Sequence, residues 1–193
     1  MTQQGIVTTQ HMDGPAAVQA EGAFRLIYAE AFAEPPYDET ADDVAAAFRR
    51  FPGQTRNPGF HAVLARTGQG EPVGMAYGHP LRPDTVWWDE LTEPVPADLR
   101  REDGRRTFGL MELAVRGPWR GQGVARRLHE TLLDGIGTER VLLNVHPASE
   151  AASAAYRAWG YRKVGEARPW GEGADHHDVM LLDLRREQPG ACR

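Results

Sequence analysis

Two glycines, Gly121 and Gly123, stand between an apolar-rich run, Thr107–Val115, and an amphipathic stretch with Val124, Leu128, Thr131 and Leu132 on one helical face. A strand that gives way to a helix across so short a link, with Gly117-Pro118 making the turn, limits the chain to folds with a strand–turn–helix unit at their centre. The pattern predicts a helix from Gly121 to the stop at Gly135, with Arg126 and Glu130 paired at i,i+4 on its wet side. The start of such a helix offers backbone N–H groups without carbonyl partners and the positive end of the peptide dipole. Phosphate or pyrophosphate suits that site. Glycine at 121 and 123 keeps Cβ atoms out of an anion's way, and Arg120 adds a fixed positive charge at the rim. The same glycines also suit a plain tight turn.

Two familiar phosphate cradles do not fit. The third glycine of G-x-G-x-x-G is replaced by Arg126, and a P-loop needs Gly-Lys-Ser/Thr, whereas the sole lysine of the chain is Lys163.

Around this unit the pattern reads as one α+β domain over 1–193. A strand is expected over Ile6–Met12, closed by Asp13-Gly14-Pro15. A helix follows over Ala16–Phe32, with Phe24, Ile27, Tyr28 and Ala31 on one face, stopped by Pro35-Pro36. Thr40 caps a second helix carrying Val44, Ala47, Phe48 and Phe51, ended by Pro52-Gly53. Phe60–Arg66 and Val73–Tyr77 read as an antiparallel hairpin. The segment 83–106 is a Pro-, Trp- and charge-rich excursion, and long loops in compact domains tend to be functional. Beyond the central helix come a strand, Val141–Val145, a helix after Pro147-Ala148-Ser149 with Ala152, Ala155, Tyr156 and Trp159 in register, and two last strands, Tyr161–Val164 and Val179–Leu184. A flexible tail is expected over 186–193.

Composition narrows the function classes. The net charge of −5 gives no support to a nucleic-acid partner. The single cysteine, Cys192, excludes an internal disulfide and a cysteine metal cluster. No apolar run reaches membrane-span length, and Met1 to Gln10 lacks a signal-peptide pattern. These features predict a cytoplasmic protein with no membrane and no metal. The high Arg and Ala content suggests a bacterial, GC-rich source. His176-His177 read as solvated loop histidines.

The segment Met111–Leu128 contains R-x-x-G-x-A at Arg120, Gly123 and Ala125. It resembles motif A, Q/R-x-x-G-x-G/A, of the GNAT superfamily of N-acetyltransferases. The later segment, Val141–Val145 followed by Ser149, Ala152, Tyr156 and Gly160-Tyr161, is similar to the second signature of that family, with Ser149 where the family often has Asn. The resemblance spans roughly residues 60 to 184. It implies a GNAT-like twisted mixed sheet flanked by helices, with acetyl-CoA in the splay between the fourth and fifth strands.

On that resemblance Leu113, Ala114 and Val115 pair with the pantetheine arm. Arg120, Gly121, Gln122, Gly123, Val124, Ala125 and Arg126 hold the pyrophosphate, and Ser149 and Tyr156 complete the cofactor contacts. A backbone N–H near Val115 stabilises the oxyanion. Tyr156 is the expected general acid and Glu112 the expected base, directly or through water, although Gly109 is closer to the position some members use. Tyr37, Trp87, Trp88 and Asn144 are candidates for the acceptor site. Acidic residues in Glu34–Asp43 and Pro83–Asp103 favour a cationic amine, with Arg100, Arg101, Arg105 and Arg106 able to neutralise them. The expected activity is acetyl transfer from acetyl-CoA to a primary amine of a small molecule or peptide, and a homodimer is compatible with it. A CoA-binding regulatory module without turnover is the alternative.

Overall fold

The computed structural model describes residues 6–169 and 175–184. The expected tail over 186–193, with Cys192, lies outside them, as does the start of the segment read for a signal peptide. Seven strands form a mixed sheet in the order β1-β2-β3-β4-β5-β7-β6. By contact density the chain divides into two compact units. The first holds the residues up to His79 and Leu110–Ile136, and the second holds Pro80–Gly109 and the residues from Gly137.

In the first unit β1 (Thr8–Met12), β2 (His61–Arg66) and β3 (Pro72–Pro80, its last residue belonging to the second unit) pair antiparallel in sequence order. The expected helix over Ala16–Phe32 is two helices, α1 (Gly14–Gln19) and α2 (Glu21–Phe32), broken at Ala20. The first starts early because Asp13 caps it, accepting the Ala16 N–H at 3.0 Å, while Pro15 sits in the first turn, where a missing N–H costs nothing. Gly14 also permits a close approach: a Cβ there would lie 2.1 Å from the Thr55 carbonyl oxygen.

Helix α3 (Ala41–Gln54) opens with the capping box of Thr40 and Asp43. It runs through Pro52 rather than ending there, because the Thr55 N–H reaches the Phe51 carbonyl and the Thr55 hydroxyl that of Pro52, each at 3.0 Å. Phe24, Ile27 and Tyr28 of α2 and Phe48 and Phe51 of α3 bury against Leu64, Met75 and Tyr77 of the sheet. Each large side chain so removed from water stabilises by about 1.5–3 kcal/mol.

Strand β4 spans Thr107–Val115 as expected. The central helix, α5 (Val124–Leu133), begins three residues later than expected, after a short 3₁₀ turn at Gly117–Trp119. Val124, Leu128 and Leu132 are buried as the stripe predicts, joined by His129. Close packing on β3 requires Gly74, where a Cβ would stand 2.9 Å from Leu128 Cδ1.

In the second unit the start of β4 pairs in parallel with β5 (Arg140–Val145) at three positions, Thr107↔Arg140 to Gly109↔Leu142. Strand β5 pairs antiparallel with β7 (His177–Asp183), and β7 with β6 (Arg162–Ala167). The helix α6 (Glu150–Ala158) precedes β6. The excursion contains a 3₁₀ turn at Trp87–Glu90 and a short helix, α4 (Ala97–Arg100). It is fastened to β6 by a Leu91↔Ala167 bridge and by Thr92 N–H to Glu166 O at 2.8 Å.

Candidate active site

Gly121 and Gly123 both adopt left-handed backbone angles, with φ of 72° and 76°. A residue with a Cβ would pay roughly 1–2 kcal/mol there. Apart from the chain neighbours, no heavy atom of the described residues lies within 4 Å of the place where a Cβ would stand at either glycine. The glycines therefore precede the helix and turn the chain into it, leaving open space beside the turn. The first bond of α5 runs from the Arg127 N–H to the Gly123 carbonyl at 3.1 Å. The N–H groups of Val124, Ala125 and Arg126 come before it and have no carbonyl within the helix. Donors beside open space at the positive end of a helix dipole suit an anion.

Arg120 is less free than the sequence suggests. Its guanidinium donates to the Val115 carbonyl at 2.9 Å and the Ala31 carbonyl at 3.3 Å, and pairs with Glu34 at 2.5 Å. Its first role is to hold the cradle loop against the end of β4 and α2. The Val115 carbonyl is accordingly occupied. Ala114 and Val115 are buried and Leu113 is half-buried. Gln122 Nε2 donates to the Pro118 carbonyl at 2.9 Å, and the Arg126 side chain pairs with Glu130 at 2.8 Å. In both residues the backbone, not the side chain, is left to face an anion. Arg116 braces the same corner through Glu30 and Glu71, each at 2.6 Å.

Glu112, on the same strand, keeps some exposed area, yet protein surrounds its carboxyl closely enough to desolvate the charged form. Burial first, and then the negative charge of Glu39, push it up to about 8, with Arg50 opposing. Tyr28 and Tyr77 both feel the Glu112 charge. Tyr28 donates to Glu39 Oε1 at 2.9 Å, and burial raises Glu39 as well. The Tyr28–Glu39 contact escaped the sequence reading because Tyr28 lies on the apolar stripe of α2, where a tyrosine reads as core. The position of Glu39 immediately before the Thr40 cap was the available signal. Tyr37 packs edge-on against Phe32, ring centroids 4.9 Å apart.

In the second unit, Trp87 and Asn144 are brought together: the indole N–H donates to Asn144 Oδ1 at 3.1 Å. Trp88, the other tryptophan expected at the acceptor site, is turned into the interior. It is 4% exposed, and its indole N–H is committed to Glu102 Oε1 at 2.9 Å. That oxygen also accepts from the Thr107 hydroxyl at 2.8 Å and from Arg140 at 2.9 Å, while the Arg140 guanidinium lies 5.4 Å from the centre of the Trp88 ring. This buried cluster was invisible in sequence, since its members are scattered over residues 88 to 140. The acidic residues of the excursion are partly neutralised, Asp84 by Arg82 at 3.0 Å and Asp89 by Arg100.

Tyr156 is buried between Trp159 and Tyr161, with ring centroids 5.5 and 5.4 Å away. Ser149 stands at the N-cap of α6 but makes no side-chain capping bond. His177 corrects the expectation of solvated histidines: it is buried at the start of β7, whereas His176 accepts from Arg168 at 3.0 Å. Among the described residues no group of three or more His, Cys, Asp or Glu could hold a metal ion, and no helix is long and apolar enough to cross a membrane.

Residues 23–161 match the model of the acetyltransferase (GNAT) family. Uncharacterized protein ML0378 of Mycobacterium leprae (strain TN) is 40% identical over 80 residues, 42% of this chain. That match spans only 21% of the relative's length. Among solved structures, the ribosomal-protein-S18-alanine N-acetyltransferase of Escherichia coli is similar at 18% identity and a TM-score of 0.61, covering 97% of this chain and 99% of its own. A chain of the NatC complex, solved with Gag peptide and CoA bound, is similar at 15% identity and a TM-score of 0.61, covering 92% and 98%. At these identities the two structures speak for the fold.

Proposed function

The chain belongs to the acetyltransferase (GNAT) family, and from that premise we propose that it transfers the acetyl group of acetyl-CoA to a primary amine of a small molecule or peptide by direct attack. Acetyl-CoA is the co-substrate of the family, and the cradle fits it. The observation that carries the reading is the turn at Gly121 and Gly123, which leaves open space at the N–H groups of Val124, Ala125 and Arg126 ahead of the first bond of the helix.

In the proposed reaction Glu112 takes the proton that the acceptor's ammonium group loses, directly or through water. The amine nitrogen then attacks the thioester carbonyl, a C–N bond forms and the C–S bond breaks. Tyr156 gives its proton to the departing thiolate and is restored by the second proton that the nitrogen loses, carried through water, while a backbone N–H near Val115 stabilises the oxyanion. No covalent link to the protein is required. Ser149 joins the cofactor contacts, and Leu113 and Ala114 offer the main chain of β4 to the pantetheine arm. Tyr37, Trp87 and Asn144 are the proposed acceptor contacts, with Trp88 left out because its polar atom is committed. Such chemistry belongs in the cytoplasm, where acetyl-CoA is made and used, and requires neither membrane nor nucleic acid.

Calorimetry of acetyl-CoA on Gly123→Val tests the cradle. The substitution puts a branched side chain at a left-handed position and into the open space. A large loss of affinity in a variant with an unchanged circular dichroism spectrum is expected, and unaltered affinity overturns the assignment.

A further inference from the structure

Trp87 and Trp88 are both fastened to β5. The Trp88 indole N–H is held by Glu102, which Arg140 at the start of β5 also grips, and the Arg140 guanidinium lies over the Trp88 ring. Trp87 is held at its backbone N–H by the Thr85 hydroxyl at 3.3 Å, and its indole N–H donates to Asn144 Oδ1, further along the strand, at 3.1 Å. An indole N–H can only donate. It therefore fixes which way the Asn144 amide faces, the oxygen toward Trp87 and the NH2 group away from it. Among the described residues no hydrogen bond engages that NH2 group. Asn144 also stands beyond Gly109↔Leu142, the last pair between β4 and β5. We propose that Asn144, its amide locked by Trp87, reads a carbonyl oxygen of the acceptor, so that the preferred acceptor is an amine carrying an amide or peptide carbonyl rather than a plain alkylamine.

The inference rests on the reading of Trp87 and Asn144 as acceptor contacts in acetyl transfer. An amide left free would turn over to suit any partner, offering its oxygen to a donor or its NH2 group to an acceptor. With the oxygen taken by Trp87, only donors remain. They match a group that accepts and has no hydrogen of its own, which is a carbonyl or a carboxylate. The net charge of −5 works against the carboxylate. The anchoring of Trp88 beside Trp87 holds the indole in place before any acceptor arrives, so little ordering is left to cost affinity. A site built to hydrogen-bond its substrate in this way disfavours the analogue that lacks the matching group.

The test compares kcat/KM for alaninamide with that for the amine in which an isopropyl group replaces its amide, a change of chemistry with little change of shape. Asn144→Asp keeps an oxygen for the Trp87 N–H and exchanges the NH2 group for a second oxygen, so the fastening of the excursion persists. Its new charge acts on the ammonium group of both amines, and their different basicities cancel when the variant's ratio is set against that of the wild type. The ratio of amide to isopropyl amine falls about tenfold, the worth of one hydrogen bond. In Trp87→Phe the Asn144 amide is free to turn, and the ratio falls by less, mainly through a higher KM for alaninamide. Should Asn144→Asp lose turnover with both amines, the ratio in Trp87→Phe decides. An unchanged ratio means that Asn144 only staples the excursion, and it overturns the inference while the functional reading stands. Absence of amine-dependent thiol release by the wild type with every amine overturns the functional reading, and this inference with it.

Discussion

Glu112 sits in surroundings that push its carboxyl up to about 8, between the ordinary carboxylate range and the ~10 of a free amine. This predicts a distinctive pH dependence for Glu112→Gln. Wild-type kcat/KM climbs as the base ionises and levels off above about 8. The variant depends on amine that is already neutral, so its rate keeps climbing toward ~10. The deficit of the variant is therefore greatest at and below about 8 and shrinks above it. A constant ratio of the two rates over that whole range removes Glu112 as base. Tyr156 presents a separate question at the same scale, because its ring is buried against Trp159 and Tyr161 whatever its hydroxyl does. Tyr156→Phe preserves that packing. If the hydroxyl is the general acid, kcat falls by ~10²–10⁴-fold with acetyl-CoA affinity nearly unchanged, and wild-type kcat assigns the residue to packing alone.

At the scale of elements, what could be read in advance was what local periodicity and caps encode. Thr107–Val115 is fixed by its apolar run, and the start of α3 by Thr40 with Asp43, because both signals lie within a few residues. The start of α5 was misplaced for a physical reason: Gly121 and Gly123 supply left-handed turns rather than helical residues, and sequence does not distinguish the two uses of glycine. The break at Ala20 left no mark on the apolar stripe of the helices on either side. The burial of Trp88 follows from partners at Glu102, Thr107 and Arg140 that only the tertiary fold assembles. Removing one member of that cluster should be costly. Arg140→Met leaves the Glu102 carboxylate buried without its ion pair, and breaking such a pair typically costs ~3–5 kcal/mol. Urea unfolding should show a loss of that order, and a loss below ~1 kcal/mol would mean that water replaces the guanidinium.

For the whole molecule, the sheet order and the family match agree with the fold expected from the two motifs. The glycine turn and the strand that carries Glu112 were legible because backbone turns and strand positions can be counted along the chain. The Tyr28–Glu39 hydrogen bond was not, since it joins α2 to the loop ahead of α3. A net charge of −5 and the acidic residues of Glu34–Asp43 are the grounds for proposing a cationic acceptor, although pairs such as Arg120–Glu34 and Arg82–Asp84 neutralise part of that field. The central claim is chemical, that this chain moves an acetyl group to an amine. Release of free CoA thiol from acetyl-CoA, followed with and without a panel of primary amines from small cationic amines to peptide N-termini, tests it most directly. The account predicts thiol release that depends on the amine, saturates with it and yields one acetylated amine for each thiol freed. Tight acetyl-CoA binding with no amine-dependent release across the panel would contradict it.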